Sequence, residues 1–240
     1  MSFADRVISF NSQLTYTGSK LPDKIRIMNP FQEIEEAMPV VKSFYHRYYD
    51  DDKPRHIILG INPGRFGGGL TGIPFTDPKR LSSECGIVYE GKMTHEPSSV
   101  FIYDIINAYG GAERFYGDFY INSVCPLGFT SINSAGKEIN YNYYDSKELT
   151  NAVYHFIVAS IRKQISMGIK TDVCICLGTG KNEEFLRALN EEYNFFGEII
   201  ALEHPRYIMQ YKAKFKNVYI EKYVSTLGYV EKTGKQLVKA

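Results

Sequence analysis

The chain has 240 residues, 44% of them hydrophobic and 23% charged, with a formal net charge of +1. That size buries one sizeable core, so a single domain over residues 1–240 is expected. No apolar run reaches the roughly 18 residues of a membrane span, and Met1-Ser-Phe-Ala-Asp-Arg6 lacks the basic-then-apolar order of a signal peptide. An intracellular, cytoplasmic protein with no membrane partner is therefore expected.

In chain order, Phe31 to Met38 has helical periodicity, and the apolar run His56 to Ile61 reads as a strand. It feeds Gly60-Ile-Asn-Pro-Gly-Arg-Phe-Gly-Gly-Gly-Leu-Thr-Gly-Ile-Pro-Phe75, a stretch dense in glycine. Glycine weakens regular structure, so this loop must need backbone that approaches something closely. Asn62 stands at the carboxyl end of the strand, held by Pro63, where a side-chain amide can orient a water or a polar substituent. A helix over Pro97 to Tyr109 and a strand over Phe119 to Val124 follow. Next come a helix over Asp145 to Met167, with Asp145 and Glu148 in capping-box positions, and a strand over Asp172 to Leu177.

Cys174 and Cys176 alternate in that strand and share a face. With Cys85 and Cys125 they form no C-x-x-C pair of the kind used by zinc or iron–sulfur sites, so reduced structural thiols are expected, with no metal and no cofactor. The turn Leu177-Gly-Thr-Gly-Lys-Asn182 lacks the spacing of a phosphate-binding loop and has no Ser or Thr after its lysine. It is read as the start of a helix over Lys181 to Glu192. A strand over Glu198 to Leu202 runs into His204-Pro205-Arg206, and a long helix is predicted from Tyr207 to Leu227. Residues 201–240 hold eight Lys or Arg against three Glu, a basic portion on a slightly acidic body that suits phosphate.

Strands and helices alternate, and the strands are apolar throughout, as in a sheet covered on both faces. The predicted fold is α/β: a three-layer α/β/α sandwich around a central four-stranded parallel sheet with right-handed crossovers. Residues 62–96 and 126–144 are long for connections in such a fold. Both leave carboxyl ends of strands, where open parallel sheets bind ligands. Asn62 and His204 end strands at the same edge, so one ligand can meet both.

G-x-N-P-G-x-x-G followed by T-G-x-P-F, from Gly60 to Phe75, resembles the first motif of the uracil-DNA glycosylase superfamily. It is most similar to the single-strand-selective monofunctional branch, whose Asn-to-Phe spacing is that of Asn62 to Phe75. His204-Pro205-Arg206 resembles the second motif, and Tyr120-Ile-Asn-Ser-Val-Cys-Pro-Leu127 resembles the middle strand. The resemblance implies a DNA partner, Asn62 positioning water and His204 stabilising the departing base. It further implies Phe75 stacking on the flipped ring, with Ile61, Gly64, Asn122 and Ser123 around the base. Ser123, rather than Asn122, falls where the family has the asparagine that reads the pyrimidine edge.

The second motif is shorter than the branch's H-P-S-P-R, which leaves Arg206, Tyr207 and Met209 as candidates for the wedge that fills the gap behind a flipped base. Arg65, Gly67, Gly68 and Pro205 are expected against DNA, and Lys212, Lys214 and Lys216 against phosphates. The expected activity is monofunctional hydrolysis of the N-glycosidic bond of uracil or a related deaminated base, by a monomer. A non-catalytic sensor of damaged bases and a hydrolase of free nucleosides are the competing readings.

Overall fold

A computed structural model describes the backbone of residues 1–237 and the side chains of residues 1–233. The side chain of Lys235, and Lys239 with the end of the expected domain at 238–240, lie outside the described residues. The strands are β1 Ile25–Met28, β2 Arg55–Gly60, β3 Phe119–Ser123, β4 Gly128–Ile132, β5 Glu138–Tyr141, β6 Ile169–Leu177 and β7 Glu198–Leu202. The first helices are α1 Phe3–Ser12, α2 Pro30–Glu33, α3 Ala37–Tyr49, α4 Gly68–Thr71, α5 Pro78–Ser83 and α6 Pro97–Tyr109. The remaining ones are α7 Ala112–Asp118, α8 Lys147–Ser166, α9 Lys181–Tyr193, α10 Pro205–Tyr211 and α11 Lys216–Leu237.

The central sheet is parallel throughout, in the order β3-β2-β6-β7, as the apolar runs predict. Every residue of β2 and β3 is buried, so only a sheet with both faces covered can accommodate them. β2 pairs with β3 on one side and with β6 on the other, so the chain leaves β2 toward one edge and then crosses back to build the sheet on its other side. A crevice opens at the carboxyl end of such a strand. Asn62 stands there.

A second, antiparallel sheet of order β1-β4-β5 was not foreseen. Its strands β4 and β5 occupy the stretch 126–144 read as a loop, and β1 joins them from the N-terminal part of the chain. β4 and β5 form a hairpin whose turn is closed by Asn133: its Oδ1 accepts the N–H groups of Ala135 and Lys137, and Gly136 supplies a φ of 71°. Residues 62–96 likewise contain α4 and α5. Asp77 caps α5, its carboxylate accepting the Arg80 N–H at 2.7 Å.

Three helix boundaries differ from expectation. Phe31 to Met38 is two elements: Asn29 caps α2, which ends at Glu33, and α3 starts afresh at Ala37 and runs on to Tyr49. The cap of α8 is Ser146, whose hydroxyl accepts the Leu149 N–H. Asp145 instead takes the Asn142 N–H at 2.7 Å, so no capping box forms with Glu148. The long C-terminal helix is broken at Lys212, which has φ −126° and ψ 19°. A short 3-10 turn, Ala213–Phe215, follows before α11 starts. Lys216 then pairs with Asp104 of α6 at 2.8 Å, and Tyr223 of α11 packs edge-on against Phe101 of α6, with centroids 5.3 Å apart. These contacts pin α11 in a direction that α10 cannot continue.

Candidate active site

Asn62, Phe75, Ser123 and His204 line one cleft of about 320 Å³ at the carboxyl end of the parallel sheet. That is the size of a small-molecule site. β2 delivers Asn62, β3 delivers Ser123 and β7 delivers His204, so three strand ends converge on the same space.

His204 is also the cap of α10. Its Nδ1 accepts the Arg206 N–H at 3.1 Å, and buried Pro205 fills the first helical position, where a missing N–H costs nothing. This is the local logic of His-Pro-Arg. An Nδ1 that accepts a hydrogen bond leaves the proton of a neutral ring on Nε2, which is then the donor available to a ligand. Burial, reinforced by the Arg206 guanidinium, pushes the His204 pKa down to about 4, so the ring is uncharged at neutral pH. The Phe75 ring lies 5.8 Å from it, centroid to centroid, at 45°. Phe75 sits at φ 53°, a left-handed conformation that a bulky residue adopts only when its surroundings compel it. A Cβ on Gly60 would come within 2.9 Å of that ring, so the glycine gives it room.

Asn62 is held by backbone. The Tyr143 N–H donates to Asn62 Oδ1 at 3.1 Å, and Asn62 Nδ2 donates to the Tyr141 carbonyl at 3.2 Å. A peptide N–H can only donate and a carbonyl can only accept, so just one orientation of the amide satisfies both.

The other expected site residues divide. Ile61, Gly64, Gly68, Arg206 and Tyr207 line the cleft. Arg65 and Met209 line a groove beside it, where the Arg65 guanidinium lies 4.2 Å from the centroid of the Phe66 ring. Asn122 is turned away: successive strand residues face opposite sides, and its amide donates to the Tyr120 hydroxyl at 2.6 Å while accepting the Ser123 N–H. Ser123 is thus the one brought to the cleft. Gly67 is buried behind Glu96, and Pro205 is buried at the start of α10, so neither faces outward. Lys212 and Lys214 lie beyond the cleft on the segment after α10, and Lys216 is occupied by Asp104.

The sequence reading missed Glu96, Ser98, Asn140, Asn142 and Tyr144, all of which line the cleft. Asn140 and Asn142 alternate in Ile139-Asn-Tyr-Asn-Tyr143, so reading β5 as a strand would have placed both on one face. Glu96 gives no such signal. Its carboxylate fills the space that the glycines of the first motif leave: a Cβ on Gly64 would lie 2.7 Å from Oε1, and one on Gly67 would collide with Oε2. Those two glycines therefore make room for a protein side chain as well as for any ligand. Burial, with Asp77 adding and Arg206 opposing, pushes the Glu96 pKa up to about 7.

Among the described residues no group of His, Cys, Asp and Glu could hold a metal ion, and no helix is long and apolar enough to cross a membrane. The four cysteines are free and buried.

The model of the uracil DNA glycosylase superfamily matches residues 46–228. No curated protein sequence matches the chain. Among solved structures, wild-type SMUG2 of Pedobacter heparinus is 65% identical, with a TM-score of 0.95 over 97% of this chain and 99% of that one. The matched span contains all three motifs and every strand that ends at the cleft. The chain belongs to the uracil DNA glycosylase superfamily and is a DNA N-glycosylase.

Proposed function

We propose that the enzyme removes uracil, or a related deaminated base, from DNA by hydrolysis in which Asn62 positions the water and His204 stabilises the leaving base. The observation that carries this reading is the convergence of Asn62, Phe75 and His204 on one cleft sized for a nucleobase. A base inside a duplex is out of reach of such a cleft, so the nucleotide must flip, and a mispaired base flips at lower cost.

Breaking the N-glycosidic bond puts positive charge on the sugar and negative charge on the base. A neutral imidazole whose proton is on Nε2 donates to the base carbonyl as that charge develops, in a site partly closed to water. An amide is too weak a base to take a proton early, so water adds late to a sugar cation that is already largely formed. The proton of the water leaves after attack. No lysine nucleophile enters this scheme, and the product is an intact strand with an abasic site. Ser123 replaces a longer amide at the base edge, so the hydrogen bonds that select the base come also from Asn140, Asn142 or Tyr144.

Single-turnover base release from a uracil-containing oligonucleotide tests the assignment. Asn62→Ala and His204→Ala are each expected to slow release about 100-fold or more, the scale of one preorganised electrostatic contact. His204→Asn keeps a capping acceptor for α10 and removes the imidazole. It is expected to melt like the wild type and release base as slowly as His204→Ala. Near-full activity in either alanine variant overturns the assignment.

A further inference from the structure

The turn Gly178-Thr-Gly-Lys-Asn182 has no part in the chemistry just described, yet it is built into the wall behind Asn62. Gly178 has φ 125°, and a Cβ there would sit 3.3 Å from the Cβ of Asn182. Both features admit Asn182, 1% exposed, into the space beneath the β5–α8 connection. Its Nδ2 donates to the Leu177 carbonyl at 3.1 Å, and its Oδ1 accepts the Tyr143 hydroxyl at 2.7 Å. Tyr143 is fully buried, and its ring packs on Phe185 of α9 with centroids 4.9 Å apart. Its carbonyl accepts the Thr150 hydroxyl at 3.0 Å. The residue is held at its hydroxyl, its ring and its carbonyl, and the remaining backbone group, the N–H, is the one that Asn62 Oδ1 accepts.

We infer that Asn182 and Tyr143 are positioning residues that act through Asn62: the buried pair fixes the 141–143 backbone, and that backbone fixes the plane and orientation of the Asn62 amide. This rests on the assignment of Asn62 under Proposed function. Neither residue lines the cleft, so neither touches the base. The inference gives the turn a task that a phosphate-binding reading does not. The Asn62 amide bonds only to backbone among the described residues, so its aim depends on where residues 141 and 143 stand. A misplacement of the order of 1 Å at such a group costs about 100-fold in rate.

The test is a double-mutant cycle of wild type, Asn62→Ala, Tyr143→Phe and the double variant. It is read by single-turnover release of uracil and by the Kd for an oligonucleotide carrying a tetrahydrofuran abasic analogue. Tyr143→Phe is expected to slow release about 10- to 100-fold and to leave Kd within about twofold. In the Asn62→Ala background the same change is expected to have under about a twofold effect, because the group through which Tyr143 acts is gone. An equal fold-loss in both backgrounds, a parallel loss of Kd, or no loss in either overturns the inference. Where Asn62→Ala itself is fully active, the assignment of Asn62 falls and this inference falls with it. Where Asn62→Ala is slow and Tyr143→Phe is additive, only this inference falls. Should Tyr143→Phe fail to melt cooperatively, Thr150→Val and Asn182→Ser enter the same cycle under the same criteria.

Discussion

His204 and Glu96 share a cleft and are displaced from their ordinary ionisation in opposite directions, both chiefly by burial. The imidazole is kept neutral and the carboxyl is pushed up to about 7. Arg206 lowers both, favouring neutral imidazole and ionised carboxylate, while Asp77 opposes ionisation of Glu96. A carboxyl that binds its proton more tightly folded than unfolded adds stability that is fully present below its unfolded pKa of about 4.3. That stability is lost as pH rises through about 7. Glu96→Gln is therefore expected to leave the melting temperature unchanged near pH 4 and to raise it at pH 8.5. After discounting for solvent at a half-buried site, the gain is on the order of 1–2 kcal/mol, or about 2–4 °C per kcal/mol in a chain of this size. Equal shifts at both pH values would place the effect in packing against Gly64 and Gly67 instead of in charge. At this scale the sequence was legible where chemistry follows an apolar run: Asn62, Ser123 and His204 each stand just beyond or at the end of a strand. Glu96 was illegible because its meaning lies in two glycines about thirty positions away, which no local pattern connects to it.

Among the elements, α10 carries the cleft wall and the segment after it carries the exposed charge. Tyr207 and Tyr211 of α10 are 44% and 66% exposed, their rings 5.5 Å apart, and Lys214 is exposed just beyond. The long helix expected from Tyr207 to Leu227 would have placed Lys212 and Lys216 on one face of a single rod and Lys214 on the opposite face. The break at Lys212 instead separates them: Lys216 turns to Asp104, and the other two have no ion pair among the described residues. Sequence periodicity missed the break because no Pro or Gly marks it. It comes from tertiary packing of α11 on α6. Lys212→Gln with Lys214→Gln is expected to lower the slope of log Kd against log salt by about 0.7–0.9 for each DNA phosphate that is no longer neutralised. Lys216→Gln is expected to leave that slope alone and to lower the melting temperature slightly. A slope that is unchanged in the double variant and reduced by Lys216→Gln would reverse the assignment of these lysines.

Taken whole, the molecule has a parallel sheet that the sequence announced and an antiparallel one that it concealed. The two strands β2 and β3 of the first are buried along their whole length and β6 is buried over its last five residues, whereas β1 and β5 are four residues long and mostly half-exposed, and β4 is five residues long and turns outward at its end. The second sheet nonetheless supplies Asn140 and leads into the carbonyl and N–H that orient Asn62, so the active site spans both. Beneath the opposite end of β2 lies Arg55, fully buried between the rings of Phe3 and Tyr49, at 4.9 and 4.8 Å from their centroids. Its guanidinium donates to both carboxylate oxygens of Asp51, to the Lys53 carbonyl, and to the Tyr116 carbonyl at 2.7 Å. It thereby ties α1, α3, α7 and the head of the sheet together. The two partners are unequal, since the Asp51 side chain is 34% exposed and that of Arg55 is not exposed at all. Removing the arginine leaves a carboxylate that water can reach, together with carbonyls deprived of a donor, at about 1–3 kcal/mol. Removing the aspartate strands a charge in the core, at about 3–5 kcal/mol. Urea unfolding of Arg55→Met and Asp51→Ala is accordingly expected to show both destabilised, with Asp51→Ala the worse, even though it alters the more exposed residue. The reverse order would mean that the guanidinium holds the fold by its stacking between Phe3 and Tyr49 and by its bonds to the carbonyls, with the ion pair secondary.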